Sequence, residues 1–368
     1  MMNVPLVSVY MITYNHERFV AQAIESVLMQ KTEFPVELVI GEDCSTDGTR
    51  AICERHARAH PDRIWLLPSE RNLGMMGNMV RTLAACRGKY IALCEGDDYW
   101  MDPQKLHKQV AWLEAHPEAS FCFHPCQIES ASPTEGESSS RGGHRLTGIV
   151  KQEFYEDSRA LVMWCIVPTA SVMLRKSMLP DFGDEWKTAP VGDWPLFFYL
   201  GMQGPFGCLP ETMAVYRLHR GGTWSGQRRT PQKNAIIDAY RFIRELGKDA
   251  YPNEFEKADV NQLRDYLDDL FWDPQVKLDL HQLLDHGIDR IQSPFFSARQ
   301  LSRLALEALY YKTWWAGRRE HARAVLAELV ARHPAVLLNR HWLRAKWDCM
   351  RGGRGLLTRR RRTEDGRQ

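Results

Sequence analysis

The chain has 368 residues, 44% hydrophobic and 26% charged, with 48 Lys and Arg against 46 Asp and Glu. That balance excludes a polycation, and the basic excess is confined to residues 318–368, which hold 14 Lys and Arg against 5 Asp and Glu. A nucleic-acid binder with a basic face along its body is therefore disfavoured; an anionic partner or surface near the C-terminus fits better. No stretch reaches the roughly 18 uncharged apolar residues of a membrane span, and residues 1–10 lack the charged start and cleavage site of a secretory signal. The 9 Cys include no CxxC pair, which points to buried free thiols in a reducing compartment. The expectation is a cytoplasmic protein, with peripheral contact to a membrane face open through its basic end.

In chain order, residues 6–12 form a short apolar, β-branched run that predicts a first strand, followed by Thr13, Tyr14 and Asn15. Val20, Ile24, Val27 and Leu28 then recur at helical spacing, with Asn15 as the expected N-cap. Residues 36–40 predict a second strand, broken at Gly41 by a polar loop over 42–49, and a helix follows to about residue 60. A third strand over 64–67, a helix over 73–86 and a fourth strand over 90–94 complete the alternation. Asp102-Pro103 marks the start of another helix, to about 116, because a carboxylate caps and Pro suits the first turn. A further strand is expected over 120–123. Strands separated by crossover helices imply an α/β fold with a mostly parallel sheet covered on both faces.

Residues 129–148 are rich in Ser, Gly and Thr and read as a loop or a lid over a site. Strands are expected at 170–174 and 213–218, with a helix beginning near Asp193. Beyond Gly226 the pattern turns helical over 232–349, divided by Pro252, Pro274, Pro294 and Pro334, and Arg359 to Arg362 open a charged tail.

In such sheets ligands bind beyond the carboxyl ends of the strands. The second strand is followed by Glu42, Asp43 and Asp47, and the fourth by Glu95, Asp97 and Asp98. Carboxylates gathered at one edge repel each other unless a cation or donors stabilise them. Mg²⁺ and Mn²⁺ prefer oxygen ligands and share them with substrate phosphates. Taken singly, each acid reads equally well as a helix cap or a solvated loop charge, Asp47 above all. The chain has no G-x-G-x-x-G after its first strand, no G-K-[ST] phosphate loop, no G-x-S-x-G elbow and no H-E-x-x-H.

Residues 9–15, Glu42 to Thr49, Asn72-Leu73-Gly74 and Glu95 to Trp100 resemble family 2 glycosyltransferases of the GT-A fold. Val191-Gly192-Asp193-Trp194 and Val215-Tyr216-Arg217-Leu218-His219, with Gly221, Gly222, Trp224 and Ser225, continue the resemblance to about residue 226. It implies a GT-A, Rossmann-like domain over 1–226, whereas the helical region over 227–350 and the basic tail over 351–368 are read from the sequence pattern alone. It implies Thr13 and Tyr14 lining a nucleotide pocket and Asp43 accepting a hydrogen bond from the nucleobase. Asp97 would contact ribose or metal-bound water, Asp98 would be the direct metal ligand and His219 would meet the metal or the diphosphate. Asp193 stands where the family keeps its catalytic base, although an N-cap reading is open for the same residue. The first acidic pair departs from the family's Asp-Asp by reading Glu42-Asp43, and Glu95-Gly96 before Asp97-Asp98 leaves open which acid meets the ion.

The resemblance implies an inverting, metal-dependent transfer from a nucleotide-sugar donor, a UDP-sugar in the simplest case, to a saccharide or lipid-linked acceptor in cell-surface polysaccharide biosynthesis. Trp100, Trp194 and Trp224 offer flat faces for a sugar or pack in the core. Trp and Arg in residues 335–349 fit an interfacial helix, a packed bundle or a homodimer contact. Two other classes compete: a nucleotidyltransferase using the same acidic site, for which no Gly-rich basic loop follows the first strand, and a non-catalytic nucleotide-sugar-binding protein.

Overall fold

The computed structural model describes residues 4–130, 153–187, 189–222, 229–271, 276 and 279–335. The expected lid beyond residue 130, Trp224, Ser225, the amphipathic stretch from 336 on and the basic tail lie outside them.

Seven consecutive residues of β1 (Val7–Thr13) are buried, as a strand covered on both faces requires. β1 pairs in parallel with β2 (Val36–Glu42) on one side and β4 (Tyr90–Leu93) on the other. β3 (Ile64–Pro68) extends the sheet beyond β2. The crossovers are α1 (Val20–Leu28), α2 (Thr49–Ala59) and α3 (Gly74–Ala85). Val7, Val9 and Met11 share a core cluster with Val20, Ala23, Ile24 and Val27 of α1, whose spacing lays one helical stripe on the sheet. The same cluster includes Leu106, Val110 and Leu113 of α4 (Lys105–Ala115), whereas α3 packs on β1 and β2 without joining it and so covers the other face.

Beyond the two-residue β5 (Tyr99–Trp100) and α4 come β6 (Phe121–Phe123), β7 (Cys126–Ser130), β8 (Phe154–Tyr155) and β9 (Met173–Arg175). They are followed by α5 (Asp184–Lys187), α6 (Asp193–Gln203), β10 (Phe206–Cys208), β11 (Ala214–Leu218) and α7 (Arg229–Gly247). The main sheet has eight strands in the order β3-β2-β1-β4-β9-β6-β10-β8. Only the pairings of β9 with β4 and β6, and of β8 with β10, are antiparallel. A second sheet of three strands, β5-β11-β7, stands apart from it.

Three local expectations change. Asn15 is no N-cap: α1 starts at Val20, and Asn15 takes a left-handed φ of 57° while its side-chain oxygen accepts from Thr46 N–H at 2.9 Å. The strand expected over 170–174 is a 3₁₀ turn at Thr169–Ser171 followed by β9. Residues 129 and 130, expected to open a loop, end β7.

The first compact unit runs to Pro252, so α7 belongs with the strands although the strand pattern itself ends before 226. The second unit holds α8 (Pro252–Phe271), α9 (Leu280–Ile291), α10 (Ala298–Trp315) and α11 (Arg319–Arg332). α9 and α10 each open with a capping box, Asp279 with Gln282 and Ser297 with Gln300, which satisfies the free N–H groups of the first turn. Among the described residues no helix is long and apolar enough to cross a membrane.

Candidate functional site

Strand register alone brings the acidic segments to one edge. β1 and β2 end together, with Thr13 opposite Glu42, and Asp43 N–H then donates to Thr13 O at 3.1 Å. On the other side, the β4 chain keeps pairing with β1 past its last strand residue: Cys94 N–H donates to Tyr10 O and Gly96 N–H to Ile12 O. Gly96 therefore passes against the end of β1, where a Cβ would lie 2.5 Å from Thr13 Oγ1 and 3.1 Å from His16 Nδ1. No larger residue fits that crossing.

The small second sheet supplies the remaining partners. β11 pairs antiparallel with β5, Ala214 opposite Trp100 and Val215 opposite Tyr99. Carrying that register two residues further sets Arg217 beside Asp97 and Asp98. Arg217 N–H donates to Asp98 Oδ1 at 2.9 Å, and its guanidinium donates to Asp97 O at 2.9 Å and to Gln22 Oε1. The guanidinium is held over the Tyr99 ring, 4.3 Å from its centre.

His219 follows on the same strand direction, and its Nε2 lies 3.1 Å from Asp97 Oδ2. His16 Nε2 approaches the same oxygen at 3.6 Å from the β1 side. One ligand atom from each of His16, Asp97 and His219 lies within 4.8 Å of the others, a set able to hold a metal ion. The Phe19 ring packs on His219 with centroids 4.5 Å apart. Burial alone would raise the Asp97 carboxyl, but His16 and the hydrogen bond from His219 hold it below the usual carboxylate range. Burial pushes His16 toward its neutral form, against the attraction of Asp97.

Asp98 sits deeper, 1% exposed, with Oδ2 buried and without a hydrogen-bond partner. Burial, then the charges of Asp97 and Glu95, drive its carboxyl well above the ordinary range against the Arg217 N–H. Glu95, half-buried as a residue, is pushed up to about 8 by loss of water and then by Asp97 and Asp193. A crowd of like charges with this profile is what a bound cation relieves.

On the far side of β1, Asp43 is 2% exposed and its Oδ1 accepts from Leu73 N–H at 2.9 Å. Glu42 turns the other way. Fully buried, it accepts from Ser45 N–H and Arg50 Nε, each at 2.6 Å, and so braces the loop. Asp47 is a brace too, accepting from Thr49 N–H and from Glu17 N–H. Cys44, with φ of 61°, and Asn15 are two of the three non-Gly residues in the left-handed region among the described residues, and their loops meet through Asn15 and Ser45. Thr13 is buried with Oγ1 unpartnered, while Tyr14 is 40% exposed.

Asp193 is the first residue of α6. Its carboxylate accepts from Trp194 N–H at 2.7 Å and from Thr169 Oγ1 at 3.0 Å. It is also one of the charges acting on Glu95, Tyr10 and Tyr216, which ties it to the same acidic region. Trp100 and Trp194 offer no face to a sugar: both are buried, with indole N–H groups bonded to Ala170 O and Leu161 O. Of these residues, His16 and Arg217 have no expected role from the sequence, and Glu95 stands there only among the candidate acids. The signal for His16 was its place, next to Asn15 just past the first strand.

Residues 8–179 match the family model described as Glycosyl transferase family 2. An uncharacterized protein of Mycobacterium tuberculosis is 37% identical over 59% of this chain, which spans 60% of that relative's length. A Bacillus subtilis protein bearing the name glycosyltransferase EpsE is 42% identical over 30% of this chain and 40% of its own. Among solved structures, S. aureus TarS residues 1–349 in complex with UDP aligns with a TM-score of 0.56 at 17% identity, covering 89% of this chain and 91% of that one.

Proposed function

We propose that this chain, whose residues 8–179 match the glycosyl transferase family 2 model, is a glycosyltransferase of that family that moves a sugar from a nucleotide-diphosphate donor to a hydroxyl of a saccharide or lipid-linked acceptor in cell-surface polysaccharide assembly. The observation that carries this reading is the convergence of His219 on Asp97, at 3.1 Å, on the edge where β1, β2 and β4 end. The family match supports the reaction class, and the Asp97–His219 pair at the strand ends supports a cation there.

The donor side uses β1 and β2. Thr13 and Tyr14 line the nucleotide pocket, and Asp43 accepts from the nucleobase, the N3–H of uracil in a UDP-sugar. TarS, the neighbour in fold, holds UDP. Asp97 and His219 hold the divalent ion, Mg²⁺ or Mn²⁺. This gives Asp97 the place that the family resemblance implies for Asp98, because Asp97 Oδ2 is the oxygen that the His219 and His16 rings approach, whereas Asp98 Oδ1 is taken by Arg217 N–H. The bound ion supplies charge stabilisation to the departing diphosphate. Arg217, braced by Gln22 and Tyr99, holds the Asp97 backbone in position for it.

Asp193 takes the proton of the acceptor hydroxyl. Its contacts with Thr169 and Trp194 N–H orient the carboxylate, and the acceptor enters on the face opposite the leaving group, which inverts the anomeric centre. A base so placed contributes on the order of 10²–10⁴ in rate.

The test is a thermal-unfolding panel of nucleotide diphosphates and their sugars, with and without divalent ion. A single nucleotide should stabilise the protein only with ion present, by about 3 kcal/mol at a hundredfold excess over Kd. Asp97→Asn should abolish that dependence. Failure of every nucleotide to stabilise the protein refutes the proposal.

A further inference from the structure

We infer that His16 is a third ligand of the cation site, making it a two-imidazole, one-carboxylate set that prefers Mn²⁺ and later transition ions to Mg²⁺. The inference rests on the proposed glycosyl-transfer reading of the same site and adds to it a residue and an ion selectivity.

His16 is 8% exposed, yet its ring makes no hydrogen bond among the described residues. Nδ1 is buried and unpartnered, and Nε2 stops 3.6 Å from Asp97 Oδ2, beyond hydrogen-bond reach. Buried imidazoles are ordinarily satisfied, so an unbonded one facing a carboxylate calls for a partner. The spacing fits a shared ion. Two donors bound at about 2.1 Å lie about 3.0 Å apart at right angles and about 3.4 Å apart at the tetrahedral angle. The distances from Asp97 Oδ2 to the two imidazole nitrogens are 3.1 and 3.6 Å. The rings of His16 and His219 stand at 85° with centroids 6.0 Å apart, so they reach toward the oxygen from different directions.

The backbone holds His16 there. Asn15 turns the chain through its left-handed conformation, and His16 O accepts from Phe19 N–H and Val20 N–H, both at 2.9 Å, as α1 begins. Gly96 leaves room for the ring where a Cβ would stand 3.1 Å from Nδ1. Phe19, three residues after His16, packs on His219. One turn of chain thus positions both imidazoles. Imidazole nitrogen suits Mn²⁺, Co²⁺ and Zn²⁺ increasingly along that series, whereas Mg²⁺ favours oxygen.

The experiment titrates MnCl₂ alone, then MgCl₂ alone, into the full chain and counts directly bound imidazole nitrogens by pulsed electron paramagnetic resonance of the Mn²⁺ complex. Two nitrogens are expected in the wild type and one in His16→Gln, with Mn²⁺ affinity falling about tenfold or more and the Mn²⁺ over Mg²⁺ preference shrinking. One nitrogen in the wild type, or an unchanged Mn²⁺ affinity in a folded His16→Gln, overturns the inference. If His16→Gln does not fold, the wild-type count decides alone. A count of one that disappears in His219→Gln rejects His16 and leaves the transfer reading standing. Two bound nitrogens with no nucleotide binding would reject the transfer reading and keep His16.

Discussion

Lys105 opens α4 with its ammonium fully buried, donating to Gln109 Oε1 at 2.6 Å and lying 4.1 Å from the centre of the Trp100 ring. Burial pushes it down to about 8 from an ordinary 10.5. Below about pH 8 both the folded and unfolded chains carry this proton, and the full cost of burying the charge is present, about 3 kcal/mol at 1.36 kcal/mol per pH unit of displacement. Between about 8 and 10.5 the unfolded chain keeps a proton that the folded chain has lost, so stability from this group rises with pH. Lys105→Met removes the charge and keeps the stem. It also leaves Gln109 Oε1 without its donor, which costs about 1–3 kcal/mol and largely offsets the gain at neutral pH. The diagnostic quantity is therefore the slope. In urea unfolding at about pH 7, 8, 9 and 10, wild-type stability minus variant stability should be flat to pH 8 and then grow by about 1 kcal/mol per pH unit. Parallel profiles across that range would refute the buried-ammonium reading of the wall behind β5.

Gly96→Ala sets a methyl 2.5 Å from Thr13 Oγ1 and 2.7 Å from Thr13 Cβ. Overpacking of this kind costs about 1–3 kcal/mol, so both the thermal midpoint and divalent-ion binding should fall, and retention of both refutes the tight crossing. Asp193→Asn keeps an oxygen for Trp194 N–H and loses only the base, so kcat should drop about 10²–10⁴-fold with donor KM unchanged; wild-type kcat rejects the assignment. Asp43→Asn should weaken nucleotide binding by about tenfold, the scale of a hydrogen bond to a charged group, with Mn²⁺ affinity unaltered in a calorimetric titration. Equal nucleotide affinity would move the nucleobase away from Asp43.

The parallel half of the sheet was legible because each of its strands is a buried run closed by a crossover helix; the strand-end rule then brought two acidic segments, Glu42 to Asp47 and Glu95 to Asp98, to one edge, and the family resemblance singled out Asp43, Asp97 and Asp98 among them. Of the second sheet only β11 was legible, as the strand expected over 213–218. β5 is two residues long, and β7 lies between Pro125 and a polar stretch, so neither carries a period that a local pattern can register. Yet this sheet decides the site. Its register sets Arg217 N–H on Asp98 and His219 on Asp97, a distinction between adjacent aspartates that depends on pairing across more than a hundred residues. His16 was hidden differently. Asn15 read as a helix cap, which would have drawn the following residue into α1; in its left-handed conformation it turns the chain at the strand end and leaves His16 facing Asp97. A polar residue after a buried strand thus has two local readings, cap or turn, and the partner that separates them here is Thr46, whose N–H reaches Asn15 from the neighbouring strand's loop. That bond predicts a coupling: Asn15→Ala, which removes the acceptor for Thr46 and disfavours the left-handed turn by about 1–2 kcal/mol, should weaken Mn²⁺ binding through His16 while leaving the Asp97–His219 pair intact. A pulsed-resonance spectrum of Asn15→Ala that keeps two bound nitrogens at wild-type Mn²⁺ affinity would show that the turn does not set the ligand.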